Sequence, residues 1–218
     1  MDGNGRWAKK HNRERTAGHT EGIYRMISIA AHAFECGVKN VVSYGLSTEN
    51  LERPKAEVEH IHQLMLDVFD YFVAAFTKIQ ACVRYIGKLD ALPQRVRESM
   101  ERAERALEQF APNGKTLYVA VAYGSRHEII SAINQAVERG QRVSEESFLS
   151  MLSLPLEPDL IIRTGGEKRL SNFLLYQASY AELYFTPVLF PDFSNGDLEK
   201  ALKWYSRRKR KFGLVDKI

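Results

Sequence analysis

The sequence predicts an α/β domain with a mostly parallel central sheet flanked by helices. Three observations carry this. Short β-branched runs alternate with longer segments whose apolar residues recur at helical spacing, and that alternation builds parallel strands joined by crossover helices. Glycines fall just past two helical stretches, at Gly37 and Gly140, where a left-handed terminal residue is wanted. No repeat, low-complexity stretch or linker interrupts the 218 residues, so one domain over 1–218 is the economical reading.

Met1 stands directly before Asp2-Gly-Asn-Gly-Arg6, a loop that in such folds hangs from a strand, so a short strand is expected before Met1, outside this numbering. Thr20 to Glu35 carries Ile23, Met26, Ile27 and Ala30 on one helical face. Lys39 to Leu46 reads as a strand with Val41 and Val42 at its buried centre, and Ser47 to Pro54 as a turn. One long helix is predicted from Lys55 to about Ile79, opened by Pro54, with a stripe that includes Ile61, Leu64, Val68, Phe69, Phe72 and Phe76. Then follow a strand at Cys82–Ile86, a charged amphipathic helix from Pro93 to Phe110, a strand from Leu117 to Ala122 and a helix from His127 to Arg139. Ser144 carries an N-cap signature for a further helix. Pro158 to Ile162 reads as a buried strand, Glu182 to Phe185 as a short last one, and Asp197 to Lys209 as the C-terminal helix.

Composition narrows the class without choosing it. An apolar fraction of 44% with 27% charged residues is that of a soluble globular protein, and no run approaches the roughly 18 apolar residues of a membrane span. No signal peptide precedes the first motif. The net charge of +4 suits an anionic small molecule as well as nucleic acid. Cys36 and Cys82 both sit in apolar surroundings and read as buried free thiols in a reducing compartment. Arg207 to Lys211 is a basic patch with no interleaved aromatics, which argues for a solvated helix end or a subunit contact over a nucleic-acid site.

Chemistry concentrates where ligands bind in such sheets, beyond the carboxyl ends of the strands. Arg163-Thr-Gly-Gly-Glu-Lys-Arg-Leu-Ser171 follows a strand and combines glycines, which let backbone N–H groups approach a phosphate, with arginines, which donate in pairs. Asp2-Gly-Asn-Gly-Arg6 has the same character with a carboxylate added, and a carboxylate beside phosphate donors is a setting for Mg²⁺. Either motif alone is also what an ordinary glycine-rich turn looks like. With Ser47 to Arg53 and Tyr123 to Arg126 they make four loops on one edge.

Met1-Asp-Gly-Asn-Gly-Arg-Trp-Ala8, Ser47-Thr-Glu-Asn50 with Arg53-Pro54, and Arg163 through Leu174 resemble the signature blocks of the cis-prenyltransferases, the bacterial undecaprenyl diphosphate synthases most of all. Tyr180-Ala-Glu-Leu-Tyr-Phe185, Pro191-Asp-Phe193 and Arg208 to Gly213 extend the resemblance nearly to the C-terminus. It implies repeated addition of isopentenyl diphosphate to an allylic diphosphate such as farnesyl diphosphate, each step making a cis double bond. It further implies an apolar tunnel between the long helix and the sheet, a cytoplasmic enzyme at the membrane surface, and a product that partitions into the membrane. Asp2 and Glu182 would hold Mg²⁺. Gly3, Asn4, Gly5, Arg6 and Trp7 would wrap the allylic diphosphate with Arg15 and His19. Ser47, Thr48, Glu49, Leu51 and Arg53 would complete the substrate site, and Arg163, Arg169, Leu170 and Ser171 would meet the second diphosphate. Asn50 matches the position assigned to proton removal, although an amide is a poor base and a diphosphate oxygen or water could take the proton instead. The resemblance implies a homodimer too, whose Arg208 to Gly213 tail reaches the partner's active site. Nucleic acid is not expected as a partner. Leu51, Lys168, Ala122 and Ser125 depart from the family's usual Trp, His, Asn and Gly, which leaves primer and product length open. A non-catalytic partner subunit or a short-chain synthase are the other readings, the first opposed by the presence of Asp2, Arg6, Arg163, Arg169 and Glu182 together.

Overall fold

Strands β1 (Asn40–Tyr44), β2 (Cys82–Ile86) and β3 (Thr116–Ala120) form a parallel ladder in the order β1-β3-β2, and β4 (Leu160–Arg163) pairs in parallel with β5 (Glu182–Phe185). The coordinates are a computed structural model that describes residues 1–211. Helices α1 (Asn4–Lys10), α2 (Arg15–Glu35), α3 (Lys55–Asp67), α4 (Phe69–Ile79), α5 (Gln94–Leu107), α6 (Ser125–Glu138), α7 (Glu145–Met151) and α8 (Asn195–Tyr205) supply the connections and the covering layers. The main core lies between the first ladder and α2, α4 and α5, where Phe34, Phe76, Val83, Val96, Leu107 and Leu117 are buried. Every CH₂ withdrawn from water there contributes about 0.8 kcal/mol.

Several expectations are corrected. Asp2 to Arg6 is not a free loop: after Gly3 the chain enters α1 at once, and α1 packs across α2. The crossing is so close that a Cβ on Gly18 would lie 2.0 Å from the Asn4 carbonyl oxygen, so only glycine fits. The helix expected at Thr20 begins at Arg15, which brings Arg15 and His19 onto one helical face. The single helix expected over 55–79 breaks at Val68, with φ −90° and ψ 2°, although neither Pro nor Gly stands there. Val68 is buried; α3 packs on α2, α5 and the Glu49–Glu52 turn, and α4 packs on α2 and α5. Val41 and Val42 are only half-buried, as is Ile162, where buried strand centres were expected, because these residues line a cavity. Cys36 is exposed, since it caps the C-terminus of α2 beyond the last buried turn; Cys82 is buried and free.

The C-terminal cations pack on their own chain. Arg208 donates to Glu182 Oε2 at 3.0 Å, and Arg210 pairs with Asp159 and donates to the Tyr180 carbonyl at 3.2 Å. Phe212 and Gly213, expected to end the reaching tail, lie outside the described residues. Among the described residues no helix is long and apolar enough to cross a membrane.

Candidate active site

The carboxyl end of β4 and the start of α1 are sewn together around Asp2. Its N–H donates to Thr164 Oγ1 at 2.9 Å, and its carbonyl accepts from the Thr164 hydroxyl at 2.8 Å and from the Phe190 N–H at 3.0 Å. The side chain is thereby aimed between two arginines. Arg6 Nη2 donates to Oδ1 at 3.1 Å and Arg163 Nη2 to Oδ2 at 3.0 Å. Burial pushes the Asp2 carboxyl up, but the hydrogen bonds from Arg163 and Arg6 outweigh it and hold the group below its ordinary value.

Both arginines are fixed by more than Asp2. Arg6 Nη1 donates to the Gly165 carbonyl at 2.6 Å, and a Cβ on Gly165, whose φ is +83°, would strike Arg6 Nη2 at 2.6 Å. Arg163 Nη1 donates to Ser171 Oγ at 2.8 Å and to the Arg169 carbonyl, which curls the 163–171 loop around its own guanidinium. Among the described residues its buried Nε has no hydrogen-bond partner. Arg169 itself is exposed and pairs with Glu167 at 2.6 Å.

A second cluster sits beside the first. Glu57, in the first turn of α3, has Arg15 Nε, His19 Nε2 and Arg53 Nη1 each 3.0 Å from its Oε1. Its side chain is 11% exposed. Burial pushes its carboxyl up, and the hydrogen bonds from Arg15 and His19 overcome this and pull it down. Burial is also the leading influence on His19, whose pKa falls despite Glu57. Glu57 was not singled out in the sequence, yet its signal was there: Arg53 and Glu57 stand four apart at a helix start, the spacing of an ion pair.

These clusters border a cavity of about 1110 Å³. Asp2, Gly3, Asn4, Gly5, Arg6, Arg15, His19, Ser47, Asn50, Arg53, Arg163, Arg169, Leu170 and Ser171 all line it, so most of the expected site is brought together. Its apolar wall comes from Ile23, Met26, Leu64, Phe69, Phe72 and Val119. Trp7, Thr48, Glu49, Leu51 and Glu182 do not line it. Trp7 turns outward and donates Nε1 to Asp192 at 2.7 Å, anchoring α1. Leu51 packs at the margin of the core. Glu182 opens β5 while Arg163, whose register partner is Phe185, closes β4, so the two lie at opposite ends of this ladder and Glu182 pairs with Arg208. Within one chain, Glu182 and Asp2 are not brought together.

Asn50 is held by the Ser47 N–H, which donates to its Oδ1 at 3.3 Å. A backbone N–H can only donate, so this contact identifies Oδ1 as the atom turned to the Ser47 backbone, and the amide NH₂ is the donor end of the side chain. Among the described residues no three His, Cys, Asp or Glu side chains could hold a metal ion by themselves. Asp2 therefore fits only a cation that brings other ligands with it, which is how Mg²⁺ binds one carboxylate together with substrate phosphates and water.

Cations gathered at the carboxyl ends of parallel strands open onto a cavity with an apolar wall, an arrangement that suits the binding of an anionic, partly apolar molecule. The comparisons with known proteins agree. Residues 1–213 match the family described as "Putative undecaprenyl diphosphate synthase". The chain is 42% identical to an isoprenyl transferase of Aquifex pyrophilus, covering 99% of this chain and 94% of that one, and 40% identical to one of Thermotoga maritima, covering 98% and 94%. Lavandulyl diphosphate synthase from Lavandula x intermedia, solved in complex with dimethylallyl diphosphate, superposes with a TM-score of 0.91 at 35% identity, over 98% of this chain and 95% of that one. The chain belongs to the undecaprenyl diphosphate synthase family, and it is a prenyltransferase that condenses prenyl chains.

Proposed function

We propose that this protein condenses isopentenyl diphosphate with an allylic diphosphate, in the presence of Mg²⁺, forming a cis double bond at each addition and releasing a polyprenyl diphosphate. The observation that carries this reading is Asp2, held between Arg6 and Arg163 at the mouth of the apolar cavity. One diphosphate would occupy Gly3, Asn4, Gly5 and Arg6 with Arg15 and His19, and the other Arg163, Arg169, Leu170 and Ser171. Asp2 stands between the two groups. Mg²⁺, when bound there, would neutralise charge on the departing diphosphate.

The allylic C–O bond breaks and its electron pair leaves on the diphosphate. The double bond of isopentenyl diphosphate attacks the allylic carbon, and a proton then leaves its C2. Arg6, Arg15 and His19 stabilise the departing charge, a task fixed donors in a dry site perform well. Asn50, presenting its NH₂, orients a diphosphate oxygen or a water that accepts the proton. The carbon chain grows along the apolar wall as in a tunnel. The cavity of about 1110 Å³ is large enough for a substrate with a sizeable hydrocarbon part.

A homodimer completes the proposal. Ile130, Ile133 and Val137 on α6 and Leu183 on β5 are exposed apolar side chains, the kind of surface a second copy covers. The enzyme would work in the cytoplasm at the membrane surface, where its product partitions. The test is incubation with radiolabelled isopentenyl diphosphate, farnesyl or dimethylallyl diphosphate and Mg²⁺, with products resolved by chain length and the protein's mass measured by light scattering. Radioactivity in long apolar products, abolished by EDTA, is expected. No extractable product from either primer would overturn the reading.

A further inference from the structure

We propose that Asn172 and Glu49 form a clasp that positions the loop receiving the second diphosphate against the Asn50 turn. The inference rests on the two-diphosphate reading above. Glu49 faces away from the cavity: Oε1 accepts from Asn172 Nδ2 at 2.8 Å and Oε2 from the Thr48 hydroxyl at 3.1 Å. A carboxylate directed at two diphosphates would repel them, whereas one directed at an amide repels nothing.

Asn172 joins three loops. Besides Glu49, its Oδ1 accepts from the Arg126 N–H at 2.9 Å, and its carbonyl accepts from the Ser125 N–H at 2.9 Å. The clasp is pressed against Gly124, where a Cβ would lie 2.7 Å from Asn172 Nδ2 and 2.5 Å from Thr48 Oγ1. The segment it holds is strained. Ser171, Asn172 and Leu174 have φ of 50°, 62° and 47°, a region non-glycine residues adopt only where their surroundings over-determine them. That conformation sets Ser171 Oγ and the Arg169 carbonyl on Arg163. On the other side of the clasp, Glu49 opens the short helical turn that carries Asn50. Asn172 and Glu49 are thus positioning residues, acting through Arg163, Ser171 and Asn50.

The test exchanges donor and acceptor. Asn172→Asp keeps the Arg126 contact but sets two carboxylates face to face. Adding Glu49→Gln restores a hydrogen bond with its direction reversed. Steady-state kinetics, thermal unfolding and calorimetric binding of inorganic pyrophosphate are measured on wild type, both single variants, the double variant and Glu49→Ala. Asn172→Asp and Glu49→Ala should each lower kcat/KM for isopentenyl diphosphate about 10-fold or more, with a much smaller change in KM for the allylic substrate. The double variant should recover most of the loss in both kinetics and pyrophosphate binding, a coupling that independent effects would not give. Equal losses toward both substrates, or a double variant no better than Asn172→Asp, would overturn the clasp. Wild type that binds pyrophosphate but makes no product would refute the proposed function instead, and the calorimetric cycle would still decide the clasp.

Discussion

Glu57→Gln is the most informative single perturbation. The carboxylate holds Arg15, His19 and Arg53 on one oxygen at 3.0 Å each. Arg15 is 58% exposed and contributes little, since surface pairs are worth about 0–1 kcal/mol. His19 and Arg53, at 12% and 30%, carry the interaction. Charge-assisted hydrogen bonds are worth about 1.5–3 kcal/mol and roughly twice neutral ones, so Gln, which keeps an acceptor oxygen, forfeits about 1 kcal/mol at each, about 2 kcal/mol in all. For a chain of this size that lowers Tm by about 4–8 °C. If the same positioning is carried to the transition state, kcat/KM falls about 30-fold. The assays are thermal unfolding, steady-state turnover with labelled isopentenyl diphosphate, and NMR titration of His19. The His19 pKa should fall further, because Glu57 is what raises it against burial. A Tm unchanged within about 1 °C together with turnover within about twofold of wild type would refute the account of Glu57 as an organiser.

The other expectations are as follows. Asp2→Ala should reduce kcat by about 10²-fold or more while an allylic diphosphate still binds, measured by turnover beside calorimetry at saturating Mg²⁺; near-normal kcat would remove Asp2 from the chemistry. Gly18→Ala places a Cβ 2.0 Å from the Asn4 carbonyl oxygen, a backbone atom that cannot step aside, and should cost about 1–3 kcal/mol by denaturant unfolding. Acid should weaken the fold in two stages. The folded pKa of His19 is depressed below 6.5 and that of Glu57 below 4.5, so the stability each contributes is present above those values and lost as pH falls through the depressed ones. A Tm profile flat from about pH 7 down to about pH 5 would contradict the His19 assignment, and one flat from there into strong acid would contradict that of Glu57.

The sequence by itself determined the alternation of strands and helices, the strands Cys82–Ile86 and Glu182–Phe185 to the residue, and the residues of the polar mouth. These were legible because apolar periodicity and glycine placement are local properties, and because Asp2, Arg6 and Arg163 sit in short motifs whose composition already states their chemistry. The break at Val68 was not legible: the apolar stripe runs through it unbroken, and neither Pro nor Gly marks it. The same holds for direction. Trp7, Glu49 and Leu51 stand beside cavity-lining residues in the chain but turn to Asp192, Asn172 and the core. Tertiary structure alone decided that Glu57 gathers Arg15 and His19 beside Arg53 and that Glu182 meets Arg208. Motifs fix which groups are near one another along the chain, whereas long-range packing fixes which oxygen each cation reaches.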